Sequence, residues 1–167
     1  MLFRSKIPAG IATGQRLRLS GEGEAGVAGA PAGDLYVVVH VQDHSFFHRE
    51  GNDLYCEIPV HYPTLALGGA ITVPTLDGED TFTLPEGSTS GETFRLRGKG
   101  MPDVSSARNR GDLLFTVKLV TPKKATKEQR KLLEQLAASM PTESFEPTPR
   151  AHAEERGIFD RVKDLFG

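Results

Sequence analysis

The chain has 167 residues, 38% of them hydrophobic and 25% charged, with a formal net charge of −2 and a single cysteine, Cys56. That composition is globular, gives no global charge with which to hold nucleic acid, and excludes both an internal disulfide and a cysteine-rich zinc module. Met1 opens no signal peptide and no apolar run is long enough to span a bilayer, so the expectation is a soluble cytoplasmic protein with no membrane partner.

In chain order, Phe3 and Ile7 alternate with Arg4 and Lys6, which predicts a strand over 2–7. Leu17 and Leu19 then alternate with Arg16 and Arg18, a second strand whose arginines face solvent or a neighbour. A loop rich in Gly, Ala and Pro over 21–33 leads to 35–41, apolar at nearly every position, which predicts a strand covered on both faces. Residues 42–52 are polar except for Phe46 and Phe47 and read as a hinge between two units. In 54–60, Leu54, Cys56, Ile58 and Val60 point inward, and Pro59 marks a sheet edge or the end of pairing.

Residues 63–69 predict one or two helical turns, opened by Pro63 and stopped by Gly68-Gly69. A strand over 70–76 meets Asp77-Gly78, which predicts a type I′ hairpin turn. Strands containing Phe82 and Leu84, then Phe94 and Leu96, then 113–120 complete the β-rich part. From Thr126 the period changes. Thr126 and Gln129 make a capping-box pattern, and Leu132, Leu133, Leu136, Ala137 and Met140 form a helical stripe that Pro141 ends. After a Pro-containing linker, a last amphipathic helix over 154–166 carries Ile158, Phe159, Val162, Leu165 and Phe166 on one side.

The chain contains a duplication. Pro8, Gly10, Gly14, Leu17, Arg18, Leu19, Gly21 and Gly23 recur as Pro85, Gly87, Gly91, Phe94, Arg95, Leu96, Gly98 and Gly100, an offset of 77. Gly33-Asp34-Leu35 recurs as Gly111-Asp112-Leu113 at an offset of 78, so the second copy carries one more loop residue. The fold class expected is therefore mainly β: two tandem small β-sandwich or barrel-like units, the first incomplete, plus C-terminal helices. The boundaries read as 1–43 and 44–122 for the β-units, 123–141 for a helix, 142–153 for a linker and 154–167 for a terminal helix.

Sites of chemistry do not assemble. Gly21-Glu22-Gly23-Glu24-Ala25-Gly26 fits G-x-G-x-x-G, but Gly, Ala and Pro follow where a dinucleotide site needs a helix. Gly98-Lys99-Gly100 lacks P-loop spacing, and Gly87-Ser88-Thr89-Ser90-Gly91 has Thr89 at the nucleophile position. His44 and His48 are spaced for ligands on a helix but lie in a loop, and Cys56 reads as a small buried hydrophobe. No cofactor, no metal and no enzymatic activity are expected, and a β-sandwich hydrolase finds no nucleophile–base pair. Two features survive. Phe46 and Phe47 either line a groove for a hydrophobic peptide or plug the interface between units. The stripe of the last helix is a dimer seam, a packing face or a membrane anchor, and Asp160 and Asp164 argue against the anchor.

The assembled phrases resemble the C-terminal part of the bacterial DnaJ co-chaperones over nearly the whole length. They include Ile7-Pro8-Ala9-Gly10, Arg18-Leu19-Ser20-Gly21-Glu22-Gly23, Pro31-Ala32-Gly33-Asp34-Leu35-Tyr36-Val37, Phe47-His48-Arg49-Glu50-Gly51-Asn52-Asp53-Leu54, Val73-Pro74-Thr75-Leu76-Asp77-Gly78 and Phe94-Arg95-Leu96-Arg97-Gly98-Lys99-Gly100. The resemblance implies two client-binding β-domains and a C-terminal dimerisation segment. It places Phe47 in a groove for unfolded polypeptide, with Leu35 and Val37 on the adjoining strand, and Ile158, Phe159, Val162, Leu165 and Phe166 in the dimer contact. The partners it implies are non-native polypeptides, a second copy of the chain, and a DnaK-type chaperone or full-length DnaJ.

The family's activating His-Pro-Asp tripeptide and its repeated Cys-x-x-Cys-x-Gly-x-Gly are absent from this sequence. The resemblance thus implies neither stimulation of ATP hydrolysis nor zinc binding. It also implies a first domain without its N-terminal strands, either as a truncated relative or with its open edge completed by another molecule. Two functions follow from it: a client-binding chaperone module, or a structural piece that only dimerises with a full-length relative.

Overall fold

The structure, a computed structural model, describes residues 6–26, 30–106 and 108–140. The start of the expected 2–7 strand and the whole terminal helix, with Ile158, Phe159, Val162, Leu165 and Phe166, lie outside the described residues. Lys6 and Ile7, the part of that strand described, are not in a strand. The chain divides into two compact units, 1–122 and 123–167.

Among the described residues, the first unit is built from eight strands in three sheets and one short helix. β1 (Arg16–Leu19) pairs antiparallel with β2 (Leu35–Val38). A four-stranded sheet runs β3-β4-β8-β7, from β3 (His48–Glu50), β4 (Asp53–His61), β7 (Thr93–Leu96) and β8 (Leu113–Val120). α1 (Tyr62–Leu67) leads into the hairpin of β5 (Gly69–Thr75) and β6 (Gly78–Leu84).

The sequence repeat is a structural repeat. β1–β2 aligns Leu19 with Leu35 and Leu17 with Val37, and β7–β8 aligns Leu96 with Leu113 and Phe94 with Phe115. The loops match bond for bond. Asp34 Oδ1 accepts from the Gly21 N–H at 3.1 Å, and Asp112 Oδ1 accepts from the Gly98 N–H at 2.8 Å. The Gly14 N–H donates to Val39 O and the Gly91 N–H to Val117 O. Gly21 and Gly98 both adopt positive φ, +75° and +68°, which explains glycine at that point of each copy.

What surrounds the two copies differs. Beside β8 lies β4, parallel and in register from Leu54↔Leu113 to His61↔Val120. The core of the first unit collects Leu54, Ile58, Leu113, Phe115 and Val117 from this pair and Val73 and Leu84 from the β5–β6 hairpin. Phe82 brings its ring within 5.2 Å of Phe94 and 5.1 Å of Phe115, centroid to centroid, so three aromatics bind hairpin and sheet together. The inward alternation of β4 is as its sequence predicts, and Pro59 lies where β3 no longer runs beside β4.

Three local expectations need correction. The 35–41 segment is not covered on both faces: β2 ends at Val38, and Tyr36, Val37 and Val38 are all exposed, because the strand pairs with β1 alone among the described residues. Unbroken apolarity specifies a strand that would be buried given partners; it does not supply them. Residues 42–52 are not wholly a hinge, since His48–Glu50 form β3 against β4. The hairpin tip sits one residue earlier than Asp77-Gly78: Thr75 pairs with Gly78, leaving Leu76 and Asp77 in the turn. Thr75 explains the shift, its Oγ1 accepting from the Asp77 N–H at 3.2 Å and donating to Gly78 O at 2.9 Å.

In the second unit, α2 (Lys127–Ser139) begins with the predicted capping box, Thr126 Oγ1 accepting from the Gln129 N–H and Gln129 Oε1 from the Thr126 N–H.

Candidate functional site

The repeat region of the first unit meets β3 and β4 through one motif, Phe47-His48-Arg49-Glu50-Gly51-Asn52-Asp53-Leu54. Each defined position has a physical task. Arg49 spreads its guanidinium over three carbonyls, donating to Gly10 O (2.6 Å), Ile11 O (2.9 Å) and Gly51 O (2.7 Å), which clamps the 8–14 turn onto β3. Gly51 takes a φ of +57° in the turn between β3 and β4. Asp53 Oδ1 accepts from the Asp112 N–H at 2.6 Å, and Leu54 is buried. Asn52 donates through Nδ2 to Asp103 Oδ2 at 3.1 Å. Bonds from the Ser105 side chain and N–H, followed by Asn52, hold the Asp103 carboxyl below its ordinary value.

Beside this clamp opens a cleft of about 830 Å³, lined by Thr13, Val41, Phe46, Phe47, Leu76 and Met101 among others. Its aromatic wall is set by His44. The unprotonated His44 Nδ1 accepts from the N–H groups of both Phe46 and Phe47, each at 3.1 Å, and its ring lies 5.1 Å from that of Phe47. This turn sends the two phenylalanines different ways. Phe47 is 9% exposed and joins the core, whereas Phe46 stands edge-on to it at 4.9 Å and is 39% exposed. Opposite, Thr13 Oγ1 donates to Val41 O and accepts from the Val41 N–H, fixing Val41 at the rim. Val41 and Leu76 are 42% and 41% exposed, so the cleft presents apolar surface to solvent.

Of the residues singled out in the sequence, Phe47 lines this cleft mainly as part of its floor. Leu35 and Val37 do not line it; they lie on β2. Phe46, Leu76, Val41 and Met101 were not singled out as a group. Leu76 was the findable one, a large aliphatic residue in a tight turn where polar residues are the rule. Polar side chains line it as well, among them Asp43, His44, Ser45 and His48. Cys56 is buried on β4, and burial pushes its thiol up to about 11. Among the described residues no cluster of three or more His, Cys, Asp or Glu has a metal-binding arrangement.

The family model described as "DnaJ C terminal domain" matches residues 3–122. The chain belongs to the DnaJ C-terminal domain family. The expected mainly β class agrees with that membership, although none of the described sheets closes into a barrel. Among curated proteins, the DnaJ C-terminal region of this chain is similar to "Chaperone protein DnaJ" of Burkholderia mallei (strain SAVP1) and of Burkholderia pseudomallei (strain K96243). Each is 49% identical over 161 residues, 96% of this chain and 42% of the relative. The chain thus spans about two fifths of the length of the curated relatives it matches. No helix among its described residues is long and apolar enough to cross a membrane.

Proposed function

We propose that this chain is a non-enzymatic chaperone module that holds extended apolar segments of non-native polypeptides in the Phe46–Phe47 cleft. The observation that carries this reading is the exposed apolar rim of Phe46, Val41 and Leu76 over a buried floor of Phe47. A cleft of that kind accepts large side chains without demanding a sequence, which suits a client defined only by being unfolded. Residues 154–167 provide self-association, with Ile158, Phe159, Val162, Leu165 and Phe166 as its apolar seam, and two linked clefts raise avidity for a long client. The setting is the cytoplasm, with a DnaK-type chaperone or full-length DnaJ as further partners. This chain alone leaves ATP hydrolysis by such a partner unchanged.

Light scattering of a thermally aggregating client tests the reading. Suppression at stoichiometric protein is expected, and aggregation at the rate of the client alone would sink it.

A further inference from the structure

His44 is exposed, yet one side of its ring is fully engaged by the cleft wall. Its Nδ1 accepts from the Phe46 N–H and the Phe47 N–H together, each at 3.1 Å, as a short polar side chain does when it closes a turn on its own backbone. A ring nitrogen that accepts carries a lone pair, so the single proton of the neutral ring is on Nε2. Nε2 has no partner among the described residues. The only basic atom of the ring is therefore Nδ1, and a second proton can enter only there. An imidazolium would point an N–H at two backbone N–H groups, with no acceptor among the three. The same two bonds set Phe46 at the rim and Phe47 in the floor, so the proton and the aromatic wall compete for one lone pair.

We infer that His44 is a proton-operated latch on the Phe46–Phe47 cleft: the neutral imidazole holds the aromatic wall, and protonation releases the turn and lowers affinity for apolar polypeptide. The inference rests on the cleft being the client site. Histidine is the side chain that ordinarily changes charge between about pH 8 and pH 5. The latched turn binds one proton fewer than the released one, so affinity is full on the alkaline side and is lost as pH falls. Three other charged or titratable residues line the cleft: Asp43, His48 and Arg49. Arg49 keeps its charge throughout and is committed to three carbonyls. Asp43 is a carboxylate, a group that ordinarily changes charge below this range. His48, whose Nε2 lies 3.8 Å from Glu50 Oε1, is the one competing titration. The 8–14 turn, the β5–β6 tip and the segment after Gly100 present Thr13, Leu76 and Met101, which do not titrate.

The test follows fluorescence anisotropy of a rhodamine-labelled apolar peptide without His, Asp or Glu, titrated with the full chain at about pH 7.5 and about pH 5.5. The parent should bind about tenfold more weakly at the lower pH, the scale of two neutral hydrogen bonds lost. In His44→Asn the side-chain oxygen can accept from the same two N–H groups and does not titrate, so its two affinities should agree within about twofold. His48→Gln should keep the parent's ratio. Without peptide, the Phe46 and Phe47 amide resonances of the parent should move together with the His44 ring as pH falls. A parent ratio within about twofold, the parent's ratio surviving in His44→Asn, its loss in His48→Gln, or amides that do not follow the His44 ring would each overturn the inference. No binding by the parent at either pH would instead overturn the chaperone reading, and the amide titration then decides the latch alone.

Discussion

Truncating Phe47 to Ala removes a ring that is 9% exposed and touches both the core and the exposed Phe46 ring. Loss of a buried phenylalanine costs about 3–5 kcal/mol, with the lower end applying where neighbours can collapse or water can enter. Phe47 borders an open cleft, so about 3 kcal/mol is expected. For a unit of this length each kcal/mol moves Tm by roughly 4 °C, which gives a fall of about 12 °C. Phe46→Ala is the control: its ring is more than one-third exposed and its chief contact is the edge-on pair with Phe47, worth about 0.5–1.5 kcal/mol, or roughly 2–6 °C. Thermal unfolding followed by circular dichroism measures both. If Phe47→Ala unfolds within about 2 °C of the parent, the ring does not belong to the core and its assignment as the floor is wrong.

Arg49→Lys keeps the charge but gives up the fork that reaches Gly10 O, Ile11 O and Gly51 O together; about 1.5–3 kcal/mol of stability should go, with faster proteolysis in the 10–15 turn. Equal cleavage rates would show that the clamp is not needed to hold the turn. Native-state alkylation of Cys56 by iodoacetamide should stay slow at pH 8 and speed up only towards the raised value of about 11, whereas unfolded protein reacts fast. Rapid native labelling would place the thiol outside the core. The Asp103 carboxyl is held below its ordinary value, so its contribution is complete above about pH 4 and disappears as pH falls through the lowered folded value. Asp103→Asn should therefore flatten the acid limb of the stability profile below about pH 4, and an unchanged limb would remove Asp103 from the account.

The strands of both copies were legible because Leu17 and Leu19, and Phe94 and Leu96, alternate with arginines and threonines, and period two leaves little choice of element. The repeat extends to register: Leu19 stands opposite Leu35 as Leu96 stands opposite Leu113, although the two strands of the second copy are offset from those of the first by 77 and 78 residues. What pairs with what across long separations was not legible. Leu54 meets Leu113 in parallel over 59 residues, and nothing local to either strand encodes that. The exposure of Tyr36, Val37 and Val38 was missed for the same reason: side chains state what burial they would accept, and neighbours decide whether they receive it. Phe46 and Phe47 are identical in type and adjacent, so composition cannot rank them. The turn capped by His44 Nδ1 separates a floor residue from a rim residue.

The central claim, that the cleft binds unfolded polypeptide through its exposed rim, is tested most directly by fluorescence anisotropy of a labelled unfolded-client peptide titrated with the parent chain and with Phe46→Ala. Saturable binding by the parent and a loss of about tenfold in the variant, as expected for removing about 1–2 kcal/mol of aromatic contact, is the predicted result. The same affinity for both proteins, or no saturable binding by the parent, would contradict it.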